Sequence, residues 1–222
     1  MLMGAPRAAG AAPPPVRVDA FEPVAINCEL IERGLGAMLG ALGGGLAFEL
    51  HRAAVVGDPA AATANIARCT EPGFEQCAVV AGDGGGAPVD AVPATTLDAW
   101  AARALPAGAP VDVLSIDAEG GDPEALDGAQ GLLRAGRVRV LSFEYNGVGS
   151  WAGARTLREE VERLDALGLD CFWMQQSTLL RLTGTCWAPA YETRSWSNVL
   201  CVPRTEHWLG LAAEALVPDF GA

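Results

Sequence analysis

The chain has no lysine. All fifteen of its basic residues are arginine, set against 27 acids, for a formal net charge of −12. Such a balance disfavours nonspecific binding to nucleic acid or to an anionic membrane surface. The missing lysine, together with abundant alanine and glycine, reads as genomic base bias. Histidine is almost absent too: His51 and His207 are the only two, which makes a histidine-based metal site improbable. Six cysteines occur, at 28, 69, 77, 171, 186 and 201, but none forms a CxxC pair. That excludes a zinc ribbon or a thioredoxin-type motif. No apolar run is long enough to span a bilayer. No secretory signal is visible either. Residues 1–15, MLMGAPRAAGAAPPP, are small and proline-rich but lack an apolar centre. They read as a disordered linker, part of a transit peptide or a misplaced start. An intracellular site, cytoplasmic or organellar, is therefore expected, with Cys69 and Cys77 reduced. Cys28, Cys171 and Cys201 are expected to pack as small hydrophobes.

What is present suits one folded unit. Half of the 222 residues are hydrophobic and only 19% are charged, so a sizeable core can form. The reading places a single domain over residues 16–210 and a tail over 211–222.

The most informative segment is VDVLSIDAEGGDPEALDG, residues 111–128. Val111, Val113, Leu114 and Ile116 predict a strand buried on both faces. Asp117 and Glu119 follow where it ends. Gly120 and Gly121 permit backbone angles closed to other residues. Asp122 reads as an N-cap, with Pro123 the first helical residue. Ligands of open α/β sheets bind beyond the carboxyl ends of the strands, so acids at this edge are placed for chemistry.

Elsewhere, Val16–Phe21 predicts a strand ending at Glu22. Ile26, Leu30, Ile31 and Leu35 then have helical spacing, and Gly34 and Gly36 are expected to end that helix. Gly43–Gly45 turn the chain into a strand over Leu46–Val56. Residues 59–94 are the least readable; the Gly82–Gly86 loop there does not fit a phosphate-binding loop. Thr95 and Thr96 offer caps to a helix through Leu97, Trp100 and Leu105. A strand over Val138–Phe143 ends on Glu144. Thr156 with Glu159 predicts a capping box, and Leu157, Val161 and Leu164 form that helix's inner stripe. Leu169–Met174, Thr178–Leu182 and Ser197–Val202 read as strands without helices between them, hence antiparallel. The whole predicts an α/β fold: a mostly parallel, Rossmann-like sheet with helices on both faces and an antiparallel, β-rich C-terminal edge.

Three fragments fall in a telling order: VDAFEPVAIN at 18–27, VDVLSIDAEGGDPEALDGA at 111–129 and VLSFEYN at 140–146, with Thr96, Leu97 and Asp98 as a TLD element. This set resembles the FkbM-type methyltransferases, which use S-adenosylmethionine, and it covers roughly residues 16–203. The resemblance implies a seven-stranded sheet whose last strand is antiparallel. It implies methyl transfer from S-adenosylmethionine to an oxygen of a sugar or other small-molecule acceptor. Glu22 matches the acid that binds the ribose hydroxyls. Asp117 and Glu119 match the acids near methyl donor and acceptor, with Asp117 also facing the cofactor. Glu144 matches the acid after the following strand. Asp117, Glu119 and Glu144 are thus the catalytic candidates, and no metal is implied. The family's glycine-rich DxGxNxG turn, with the first strand that carries it, has no counterpart here, so that strand is expected to be missing. Ser115 stands where many relatives carry lysine. Two other readings remain open: a truncated, non-catalytic binding module of the same fold, and an NAD(P)-dependent oxidoreductase. The latter lacks a GxGxxG motif and has no place for IDAEG.

Overall fold

The structure is a computed structural model, which describes residues 16–41, 46–74, 77–80, 85, 88–153 and 155–206. His207, the segments 1–15 and 211–222, the Gly43–Gly45 turn and most of the Gly82–Gly86 loop lie outside the described residues.

The chain opens with β1 (Val16–Phe21), α1 (Ala25–Ala41) and β2 (Leu46–His51). The hard-to-read stretch holds β3 (Ala54–Val55), β4 (Thr63–Ala67), β5 (Val79–Val80) and β6 (Val89–Thr95). Then come α2 (Leu97–Ala104), β7 (Leu114–Ile116), α3 (Asp122–Asp127), α4 (Gln130–Arg134) and β8 (Leu141–Tyr145). The last part holds α5 (Gly149–Ala152), α6 (Leu157–Ala166), β9 (Leu169–Met174), β10 (Leu179–Arg181) and β11 (Ser197–Pro203). Among the described residues no helix is long and apolar enough to cross a membrane.

The strands form three hydrogen-bonded groups: β1-β2, β10-β9-β11-β8-β7 and β3-β6-β4-β5. Parallel pairing occurs at β1–β2, β7–β8 and β3–β6. The other five pairings are antiparallel. The expected single, mostly parallel sheet is therefore corrected to a mixed α/β fold with several sheets. The stretch after residue 59 adds β4, β5 and β6, which pair antiparallel and take in β3 along β6 in parallel, and the helix-free C-terminal strands pair by antiparallel returns. The antiparallel C-terminal edge is as expected.

Among the described residues, β1 and β7 each have a hydrogen-bonded neighbour on one side only. The β1–β2 pair is joined to the larger sheet's core through α2: Phe21 meets Trp100 edge-on at 5.5 Å, and Arg17 donates to the Ala104 carbonyl at 3.3 Å. That core contains Leu126, Leu133, Leu141, Phe143, Trp151, Leu157, Leu164 and Val199. A smaller one under the second sheet holds Val24, Ala54, Ile66 and Val92.

Local chemistry explains several elements. Thr96 is the N-cap of α2, accepting from the Ala99 amide at 3.1 Å. Asp98 turns back and caps a different helix: its two oxygens accept from Gly131 and Leu132 amides of α4 at 2.7 and 2.8 Å. A Cβ on Gly131 would lie 2.9 Å from that carboxylate, so a side chain there would push the Asp98 cap aside. The Thr156–Glu159 capping box forms at the start of α6 as its sequence predicts. α1 instead runs past Gly34 and Gly36, because neither glycine is forced out of helical angles there. β7 is also less buried than its apolar letters suggest: Val113 is 64% exposed, and only Ile116 in the strand is buried.

The cysteine expectations are corrected. Cys69–Cys77 and Cys171–Cys201 are disulfides. Cys171 and Cys201 are direct cross-strand partners of β9 and β11, a register invisible in sequence. Cys28 does pack as a small buried residue, donating its thiol to the Glu22 carbonyl at 3.2 Å.

Candidate functional site

β7 and β8 run parallel and in register, Leu114 beside Leu141 and Ile116 beside Phe143. Their carboxyl ends therefore emerge together and carry Asp117 and Glu144. Asp117 is exposed, whereas Glu144 is buried. Burial pushes the Glu144 carboxyl above its ordinary value, and the neighbouring Asp117 charge adds to the effect. Both Glu144 oxygens have internal donors: the Asn146 amide at 2.7 Å on one, the Trp196 indole N–H on the other. Its backbone carbonyl accepts from the buried Trp151 indole at 3.0 Å.

The turn after Asp117 is held by glycines. Glu119 has φ +50° and Gly120 φ +87°, left-handed angles that strain an L residue. Gly120 packs backbone to backbone against Val148 and Gly149; a Cβ on Gly120 would lie 2.6 Å from the Val148 carbonyl oxygen. Gly149, at φ +54°, faces it in the same way, and the Ser150 amide donates to the Gly120 carbonyl at 2.9 Å. Ser150 Oγ also bonds Glu124 of α3. The Glu119 turn is thus fastened to the loop after β8.

Gly121, not Asp122, is the N-cap of α3. Asp122 is the first helical residue, fully buried, and its Oδ1 accepts from the Glu144 amide at 3.0 Å. Its Oδ2 is buried with no hydrogen-bond partner among the described residues. Desolvation raises this carboxyl to about 7; backbone N–H groups at Glu144 and Asp122 oppose the rise, and the Glu144 charge reinforces it. Sequence reading treats Asp122 as a plain cap and leaves Asn146 unassigned. Asn146 reaches Glu144 from two residues further along the chain, a contact within range of the sequence, whereas Asp122 meets the Glu144 amide from the start of α3, 22 residues away, which only the packing of α3 on β8 reveals.

Glu22 lies at the end of β1. Its amide donates to the His51 carbonyl at 3.0 Å, and its Oε1 accepts from the Val24 amide at 2.7 Å at the entry to α1. Its second oxygen makes no hydrogen bond within the described residues. Asp117 and Glu144 thus share one rim, with Glu119 in the turn that follows, and Glu22 stands at the end of a different strand pair.

Asp117 and Glu144 gather at the carboxyl ends of parallel strands, the edge at which open α/β folds bind their ligands. Residues 18–169 match the family model described as the methyltransferase FkbM domain. The match covers more than half of the chain, so the chain belongs to the FkbM methyltransferase family. No curated protein and no solved structure matches it.

Proposed function

We propose that the domain over residues 16–210 is an S-adenosylmethionine-dependent methyltransferase acting on a hydroxyl of a small-molecule or sugar acceptor. The carrying observation is the family match together with the pairing of Asp117 and Glu144 at one strand edge. S-adenosylmethionine would supply an electrophilic methyl group. The residues present fit the polar half of its binding. Glu22 keeps one carboxylate oxygen for a ribose hydroxyl, and a carboxylate with two acceptor oxygens suits that task. Asp117, solvent-facing and near Glu144, is the candidate base for the acceptor hydroxyl. Glu144, with both oxygens already satisfied, is better suited to hold Asn146 and Trp196 in place. Glu119 orders the turn through its left-handed backbone. The protein's share of the reaction is then positioning and removal of one proton.

A second reading, a non-catalytic binding module of the same fold, is favoured by one observation: both Glu144 oxygens are already held by internal donors, Asn146 and Trp196. Calorimetric titration with S-adenosylhomocysteine separates the two. Saturable binding that falls at least about tenfold in Glu22→Ala, a loss of about 1.4 kcal/mol, is the expected result. Absence of binding to the unaltered chain would sink the enzyme reading.

A further inference from the structure

A cavity of about 440 Å³ lies on the β1–β2 pair, bounded by Arg17, Glu49, His51, Trp100, Arg103 and Ala104. Its volume is in the range of small-molecule sites. Three strand residues and three α2 residues form its walls. The floor is rigidly built. Arg17 grips Asp19 with two N–H groups at 2.7 and 2.8 Å, reaches Glu49 at 3.0 Å and ends on the Ala104 carbonyl. The His51 ring stacks on Phe21 at 4.7 Å, and its Nε2 lies 2.9 Å from Asp19 Oδ1.

Asp19, Glu49 and His51 bring three possible metal-ligand atoms within 4.8 Å of one another. A cation there would have to displace Arg17, which already joins both carboxylates. The ion pairs point the other way. Arg17 pairs with both Asp19 and Glu49, and His51 Nε2 bonds Asp19. Arg103 is then left over: it donates only to Thr95 Oγ1, at 3.2 Å, and has no carboxylate partner among the described residues. A guanidinium fork without a carboxylate partner, beside the largely buried Trp100 indole, matches a planar carboxylate. We propose that this cavity binds a small aromatic carboxylate, its anionic end on Arg103 and its ring along Trp100. Glu49, 58% exposed, competes with such a ligand for the nearby Arg17.

The opposite signs of two substitutions test the site, and no methyl donor is needed. Benzoate, acetate, inorganic phosphate and zinc are titrated in turn into the full chain, followed by calorimetry. The expected result is saturable benzoate binding, weaker acetate and phosphate binding, at least about tenfold loss in Arg103→Gln and a several-fold gain in Glu49→Gln. Both positions are exposed, and circular dichroism checks that each variant is folded. No benzoate saturation by about 10 mM, indifference to Arg103→Gln, or acetate or phosphate binding as tightly as benzoate overturns the proposal. Zinc binding that Glu49→Gln weakens, with benzoate silent, overturns it in favour of a cation site.

Discussion

Ionising a carboxyl out of reach of water costs several kcal/mol unless hydrogen bonds compensate. Asp122 has one good backbone donor and a second oxygen with none. Its raised pKa has a definite sign for stability. The folded chain holds the proton more tightly than the unfolded one, so the stabilisation is complete below about pH 4 and is lost as pH rises through about 7. Replacing it by Asn keeps an oxygen for the Glu144 amide and removes the charge. Urea denaturation of Asp122→Asn should show a flatter pH profile between 4 and 8 and, near pH 8, a gain of roughly 1–3 kcal/mol over the original chain. Asp19 and Asp127 titrate in the opposite sense, each drawn below its ordinary value despite partial burial by arginine partners. The difference between variant and parent is therefore the quantity to read. At the neighbouring turn, Gly120→Ala places a methyl group against the Val148 carbonyl at a left-handed φ. A loss of roughly 3 kcal/mol or more is expected in the same denaturation assay.

Single elements here depend on residues far away in the chain. α6 opens with its own capping box, worth about 1 kcal/mol. Yet Glu192, from the loop before β11, also accepts from the Leu157 and Arg158 amides at 2.8 and 3.1 Å. The same carboxylate accepts from the buried Tyr145 hydroxyl at 2.6 Å, and burial with that neighbour lifts the Tyr145 pKa to about 12. Glu192→Ala should therefore destabilise more than Thr156→Ala, by thermal melting, because it strands three donors rather than one. This contrast marks how far sequence could be read. The capping box, the inner stripe of α6 and the C-terminal strands carry their signals within ten or so residues. Gly34 and Gly36, read as stops, lie inside α1 because helix-breaking preference is a small term that context overrides. Glu144 was visible as a strand-end acid. Its burial and its donors were not, because Trp196 comes from 52 residues away.

At the scale of the whole molecule, β1–β2 and the larger sheet share a core through α2 without sharing backbone hydrogen bonds. FEP, IDAEG and FE were legible as an ordered set, which is what the family match reflects. The division into separate sheets was not, since pairing depends on which strands come to lie side by side. The Cys171–Cys201 link is the other feature at this scale. It closes a loop across 30 residues that includes β10 and the Glu192 segment. Loop-closure entropy assigns it roughly 3.5 kcal/mol. The double variant Cys171→Ala, Cys201→Ala should lose about that much in guanidinium denaturation, whereas treating it with reductant should then change nothing further at these positions.

The paired glycines at 120 and 149 have a consequence for anyone reshaping this protein. Because two chain segments touch there with no side chain between them, neither can be lengthened, transplanted or swapped alone. A graft of the IDAEG turn into another scaffold must bring its companion loop, and a redesign of the companion loop will re-aim the acids on that turn.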